Sequence, residues 1–271
     1  TLNFGRLHRV RPGYGYAGVT DRYASQLRPE TDGVGVLDLA TGQWRLALSV
    51  ADAYAFLGKP SELADREAWF NHVAFNTTDT RFAVLYRWRH ERRHLTEFFA
   101  ANLDGSDLRR FPTRLMTSHY DWRDEKMVLA YARMPEGRDK FWLFPDGEGE
   151  VSAVAEDVYT GDGHCCYSHD RKWFVNDTYP DPVTRERSLF IYNVAEKRSI
   201  TLGKYDHSAP VPTPCRCDLH PKWSPDDRLI SFDSIHEGRR AVYVIDVSRY
   251  TRPQGRREVR GRRSARAHSP R

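Results

Sequence analysis

The sequence predicts an all-β fold: a β-propeller of four-stranded blades, present as an incomplete set. Three observations lead there. A motif opened by histidine returns four times, as His72-Val-Ala-Phe-Asn, His119-Tyr-Asp-Trp-Arg, His164-Cys-Cys-Tyr-Ser and His220-Pro-Lys-Trp-Ser, at spacings of 47, 45 and 56 residues. An aromatic (Phe75, Trp122, Tyr167, Trp223) stands three residues after each histidine. An aspartate follows (Asp79, Asp124, Asp170, Asp226), then a β-rich run: RFAVLY, MVLAYA, WFVNDTY or LISFDS. The apolar runs are rich in aromatic and β-branched residues, which suit pleated, half-buried strands. Equivalent positions of successive blades surround one axis, so histidines distant in sequence are expected to become neighbours.

Taken in order, VGVLDLATGQWRLAL supplies the outer strands of a first unit, with TLNFGRL as its second strand. Segment 52–69 has helix-like spacing with Ser61 as N-cap, and is read as an insertion over one face of the propeller. The second unit runs HVAFN, RFAVLYRW, LTEFFAANL, the Asp104-Gly105 turn and DLRRF; the third runs HYDW, MVLAYA, KFWLF, the Asp146-Gly147 turn and EVSAV. Asp-Gly between β runs is a strong hairpin signal. HCCYS, WFVNDTY, SLFIYNV and SITLG make the fourth unit, and HPKWS, LISFDS and AVYVIDV the fifth. A long Pro- and His-containing loop, 203–219, accounts for the widest spacing. The propeller thus occupies 1–250 with about four and a half blades, read as a fragment of a longer protein whose native N-terminus is missing. The aromatics of the motif are assigned to the blade cores.

The net charge of +5 and the pI of 9.0 are set by the C-terminal end. Eight arginines and one glutamate fall in 252–271, which leaves the rest of the chain at −2. This Arg-rich tail, 251–271, lacks hydrophobic periodicity and is expected to be disordered. It reads either as an arm for nucleic acid or as a non-native end; the body offers no matching basic face, so a nucleic-acid partner is not expected. No apolar stretch reaches the roughly 18 residues that a membrane helix needs. The four cysteines read as reduced thiols, favouring a cytoplasmic over a periplasmic setting. Cys215-x-Cys217 before His220 resembles a Cys/His zinc set, but packing within inner strands is the commoner use of such a spacing.

The first residue of an inner strand lies near one mouth of the channel. His72, His119, His164 and His220 would form part of a ring there, near Ser118, Arg216 and Asp218. Imidazoles with a carboxylate suit a divalent metal, and an unmetallated imidazole suits a general base. Repeat homology alone would also keep a histidine at this register. Asp177 either lines the channel or caps a turn.

In NHVAFN, AANLDGS, TSHYDW, GHCCYS and DLHPKWSPDD, in that order, the chain resembles oligogalacturonate lyases and the wider TolB-type propellers over about residues 70–248. The resemblance implies a seven-bladed propeller that binds a divalent metal, manganese, and cleaves short pectin fragments. It places metal ligands at His164, Asp218 and His220, with Asp218 standing where the family has another histidine. No residue clearly matches the family's glutamine ligand; Cys215 or Arg216 occupies its neighbourhood. His119 matches the base. The family's arginine falls on Glu97, with Arg92 or Arg93 as possible substitutes in the catalytic set. His72, Arg216 and Asp177 are assigned to substrate binding. The implied partner is a small anionic oligosaccharide, cleaved by β-elimination. The rival reading is a non-catalytic TolB-type propeller that serves as a binding or scaffold module.

Overall fold

Strand-forming runs and tight turns alternate along the chain, and the structure, a computed structural model, folds them into five antiparallel sheets. It describes residues 1–251 apart from 14, 136, 157, 159–160 and 210–215; the Arg-rich tail beyond 251 and Cys215 lie outside the described residues. Helix α1 (Phe4–Val10) precedes a two-stranded sheet of β1 (Gly33–Leu37) and β2 (Trp44–Ser49), which runs directly into α2 (Val50–Phe56). Three four-stranded blades follow: β3 (Ala68–Phe75), β4 (Arg81–His90), β5 (Arg93–Asn102) and β6 (Arg109–Arg110); β7 (Thr117–Trp122), β8 (Met127–Arg133), β9 (Asp139–Pro145) and β10 (Ser152–Ala153); β11 (Cys166–Tyr167), β12 (Trp173–Asp177), β13 (Glu186–Asn193) and β14 (Arg198–Asp206). A three-stranded sheet, β15 (Lys222–Trp223), β16 (Leu229–Ser234) and β17 (Ala241–Asp246), and a last turn, α3 (Ser248–Thr251), complete the described chain. Strands pair in sequence order within every sheet. No helix among the described residues is long and apolar enough to cross a membrane.

The blades are held to one another by aromatic side chains at their interfaces. Phe98 stacks on Phe111 at 4.3 Å, Phe111 meets Phe144 at 5.7 Å in the next blade, and Phe141 meets Phe174 at 6.1 Å in the one after. Fully burying a side chain of this size stabilises the fold by about 1.5–3 kcal/mol. The aromatics of the repeated motif work on the same seams: Trp122 donates from Nε1 to the carbonyl of Ala74 at 3.2 Å, and Trp223 to that of Cys166 at 2.9 Å. Trp122, Tyr167 and Trp223 are buried, as expected, but Phe75 is 54% exposed. Its counterparts pack against the inner strand of the blade before, and the two-stranded sheet of β1 and β2 presents none to Phe75 among the described residues. The motif aspartates close the turns between inner strands: Asp124 Oδ1 accepts from the amides of Lys126 and Met127, and Asp226 Oδ1 from that of Arg228.

Four expectations about local structure are corrected. TLNFGRL is not a strand: Asn3 accepts from the Arg6 amide as N-cap, and Leu7 and Val10 pack one helical turn apart against Trp69. Ser61 is not an N-cap. The cap is Ser49, whose hydroxyl and the Asp52 carboxylate form a reciprocal capping box, while Ser61 begins a short 3-10 turn with no side-chain cap. Ala68 and Trp69 already belong to β3 rather than to an insertion. The long loop begins later than 203, because β14 keeps pairing with β13 as far as Asp206 opposite Glu186.

Candidate functional site: a row of histidines at the channel

Inner strands β3, β7, β11 and β15 neighbour one another in that order. They bring the four motif histidines into an unbroken row: ring centroids are 5.5 Å apart for His72 and His119, 4.1 Å for His119 and His164, and 4.4 Å for His164 and His220. A cavity of about 190 Å³ opens among them, lined also by Asp121, Cys165 and Lys222. Two of the four sit in the left-handed backbone region, His72 at φ 51° and His220 at φ 45°. A β-bulge between Asn71 and Ala74 accommodates the first. Non-glycine residues held there cost on the order of 1–3 kcal/mol each, a strain that concentrates at functional sites.

Buried carboxylates fix two of these rings. Asp177, at 1% exposure, accepts from the His164 amide at 2.7 Å and the His220 amide at 3.0 Å, and its two oxygens lie 3.0 Å from His164 Nδ1. Burial alone would raise the Asp177 pKa, but hydrogen bonds and the charge of His164 bring it below the ordinary value. An ionised carboxylate only accepts, so Nδ1 of His164 is the donor to it. His119 is held in the same way: Asp162 Oδ1 is 3.1 Å from its Nδ1, and Ser118 donates to Asp162 Oδ2 at 2.6 Å. Beyond the row, Asp218 lies 3.9 Å from His164 Nε2 but is engaged by Arg187 Nη2 at 2.8 Å and Arg216 Nη2 at 2.8 Å. Both guanidinium groups stand 5.8 Å from the ring of Tyr179.

Four of the residues singled out from sequence, His72, His119, His164 and His220, are therefore adjacent, with Asp218 and Arg216 beside them. Arg92 and Arg93 are not. The β4–β5 pairing continues to His90 opposite Arg93, so both arginines sit exposed at the hairpin tip and do not line the cavity. Asp177 is a buried clamp for two histidines rather than a substrate-facing group. Glu97 is taken up within its own blade by a bidentate contact from Arg110, at 2.6 and 2.8 Å. Cys165 and Cys166 are free thiols in separate core clusters, as expected of adjacent strand residues, and Cys217 is free and buried.

The expected metal set does not fit. Among the described residues no three His, Cys, Asp or Glu side chains converge as ligands of one ion. The reason is chemical: the Asp218 carboxylate, placed third in that set, is neutralised by two arginines. Sequence reasoning missed Asp162, Arg187, Tyr179 and the buried Arg87, whose charge, after burial, holds the His72 pKa down. Asp162, Arg187 and Arg87 lie outside the repeated motif, so no periodic signal marks them, and Tyr179 only ends the WFVNDTY run of its repeat.

Burial is the main cause that depresses four histidines: His72 well below its ordinary value, His94 to about 3, and His207 and His220 to about 4. Each binds its proton less readily folded than unfolded. The unfolded chain therefore takes up more protons as pH falls below 6.5, and stability drops from there toward pH 4. Asp121, raised to about 6 chiefly by burial, acts in the opposite sense over a narrower span, as do Glu97 and Asp32. Thermal unfolding followed by circular dichroism is expected to show a lower midpoint at about pH 5 than at about pH 7. An equal or higher midpoint at the acid value would refute it.

Fold and site together define a β-propeller with a histidine-lined channel. Solved structures similar to it include an oligogalacturonate lyase in complex with manganese (19% identity, TM-score 0.58, 78% of this chain and 52% of that one) and an oligogalacturonate lyase from Vibrio parahaemolyticus (19%, 0.56, 78% and 53%). TolB from Acinetobacter baumannii is similar at 13% identity and a TM-score of 0.52, over 80% of this chain and 47% of that one. The chain spans about half the length of each, and the likeness establishes the propeller fold. No protein-family model matches the chain, and no curated protein matches it in sequence.

Proposed function

We propose that this chain carries the site of a lyase-like propeller that cleaves short uronate oligosaccharides, of the oligogalacturonate type, by β-elimination. The observation that supports it most is His119. Its Nδ1 is held by Asp162, so Nε2 is the basic nitrogen, and its ring stands beside that of His164, whose Nε2 lies 3.9 Å from the Asp218 carboxylate that two guanidinium groups hold. Cationic groups close to a uronate carboxylate draw off electron density and acidify the C5 proton. His119 Nε2 takes that proton; the C5–H electron pair becomes the C4–C5 double bond as the C4–O4 bond breaks. The departing O4 then takes a proton, directly or through water, and no water is consumed. Manganese is present in one of the similar lyases. Here the donor set does not fit the ion.

A second reading, a binding module without catalysis, is favoured by one observation: Asp218 and Glu97 are both occupied by arginines. Incubating the full chain with trigalacturonate, with and without added Mn²⁺, separates the two. Elimination gives a rising ultraviolet absorbance from the unsaturated uronate. A flat trace in both conditions, with binding seen by calorimetry, would leave the module reading.

A further inference from the structure

We infer that Arg187, Arg216 and Tyr179 form the subsite for the sugar carboxylate, and that Asp218 occupies its place in the free protein. The inference rests on the uronate reading above, and replaces a metal ion with two guanidinium groups as the charge that holds the substrate. Arg187 reaches this place from β13 and is only 5% exposed; Arg216 precedes β15 and is 45% exposed at its side chain. Their terminal nitrogens each lie 2.8 Å from one oxygen of Asp218, so a carboxylate is already gripped between them. The grip is incomplete. Arg187 Nε and Asp218 Oδ1 are both buried without a hydrogen-bond partner, so the Arg187–Asp218 contact is an ion pair at short distance without hydrogen-bond alignment. A buried donor left in that state is costly, and a ligand oxygen that reaches it gains accordingly.

Charge and shape agree with the assignment. Two guanidinium groups converge on the place of one carboxylate, which suits an anionic ligand group there. Arginine forks match carboxylate geometry better than a lysine would. Tyr179 stands 5.8 Å from both guanidinium carbons and 6.4 and 6.2 Å from the rings of His119 and His164, offering an apolar face to a pyranose ring. A carboxylate in the Asp218 position lies 3.9 Å from His164 Nε2, which brings the attached C5 toward the histidine row.

Calorimetric titration of the full chain with trigalacturonate, in the presence of EDTA, tests this directly. Binding is expected to persist in EDTA, and to weaken by at least about tenfold in Arg216→Ala, a change at an exposed side chain. Tyr179→Ala should weaken it too, and fully methyl-esterified trigalacturonate should bind the unaltered chain no better than the acid binds Arg216→Ala. Arg187→Lys, which keeps the buried charge but not the fork, should fall between. Affinity unchanged in Arg216→Ala, equal affinity for ester and acid, absence of binding, or binding lost in EDTA and restored by Mn²⁺ would each overturn the subsite. The two readings fail separately. Charge-dependent binding without unsaturated product removes elimination and leaves the subsite, whereas unsaturated product formed equally well by Arg216→Ala removes the subsite and leaves elimination.

Discussion

His119→Ala is expected to lower the rate of unsaturated product formation from trigalacturonate by about 10²–10⁴-fold, the ordinary contribution of a positioned general base. The loss should fall on kcat, because the subsite beyond Asp218 remains to bind the carboxylate. Far-ultraviolet circular dichroism should be unchanged, since the ring sits at the channel and not in the seams between blades. Activity that survives the change removes His119 from the base role. Asp162→Ala provides the companion measurement. Asp162 is engaged by His119 Nδ1 and the Ser118 hydroxyl, so it acts by positioning. Without it the imidazole can place its proton on either nitrogen, and part of the population presents Nε2–H, which cannot accept a proton. The expected result is a loss of about tenfold, together with a displaced rate–pH profile. A merely structural role would lower stability without moving the profile. Asp162→Asn, which keeps an acceptor at Oδ1, should recover most of the rate.

The repeat made the propeller legible, because each blade must bury the same aromatic on the same seam and return to the same axis. That is why Trp122 and Trp223 could be placed from sequence, and why four histidines separated by dozens of residues could be expected side by side. What failed was whatever the repeat does not control. Phe75 obeys the motif yet is exposed, since the position needs a partner strand in the preceding sheet. TLNFGRL is too short for its apolar spacing to distinguish strand from helix, and the Asn3 cap decides the matter. Arg92 and Arg93 looked close to the site because Glu97 is close in sequence. A strand rises about 3.3 Å per residue, and the unbroken β4–β5 ladder carries them away from the cavity. Asp162, which orients His119, and the arginines that grip Asp218 come from loops and an outer strand, where residue type alone carries no address. Asp177 ends the inner strand β12, but the amides it clamps are brought to it only by the fold. Asp218 itself was read correctly as a carboxylate beside the histidines. Its charge partners, which decide what it can bind, are made only by the fold.

The largest effect on stability is expected at Asp177. Its two oxygens receive two backbone amides and one imidazole N–H, drawn from the entry to β11 and the entry to β15, at a point 1% exposed. One side chain thus ties two blades together and sets the ring of His164. Asp177→Ala leaves those three donors in a buried site, and removing one partner of a buried charged cluster costs about 3–5 kcal/mol. For a chain of this size that corresponds to a fall in thermal midpoint of roughly 6–20 °C. Asp177→Asn separates charge from shape. It keeps one acceptor but turns an NH₂ toward groups that are themselves donors, so it should lie nearer to alanine than to aspartate. Differential scanning calorimetry on the three proteins measures the order, and an asparagine variant as stable as the parent would show that geometry, not charge, makes the clamp. The acid response carries a second mark of the same group. Because the native carboxylate is held below its ordinary value of 3.8, it stabilises the fold above that pH, and the contribution is lost as pH falls through the lower native value. The stability of Asp177→Ala should therefore change less than that of the parent in that acid range, while the decline above it, which comes from the buried histidines, persists in both.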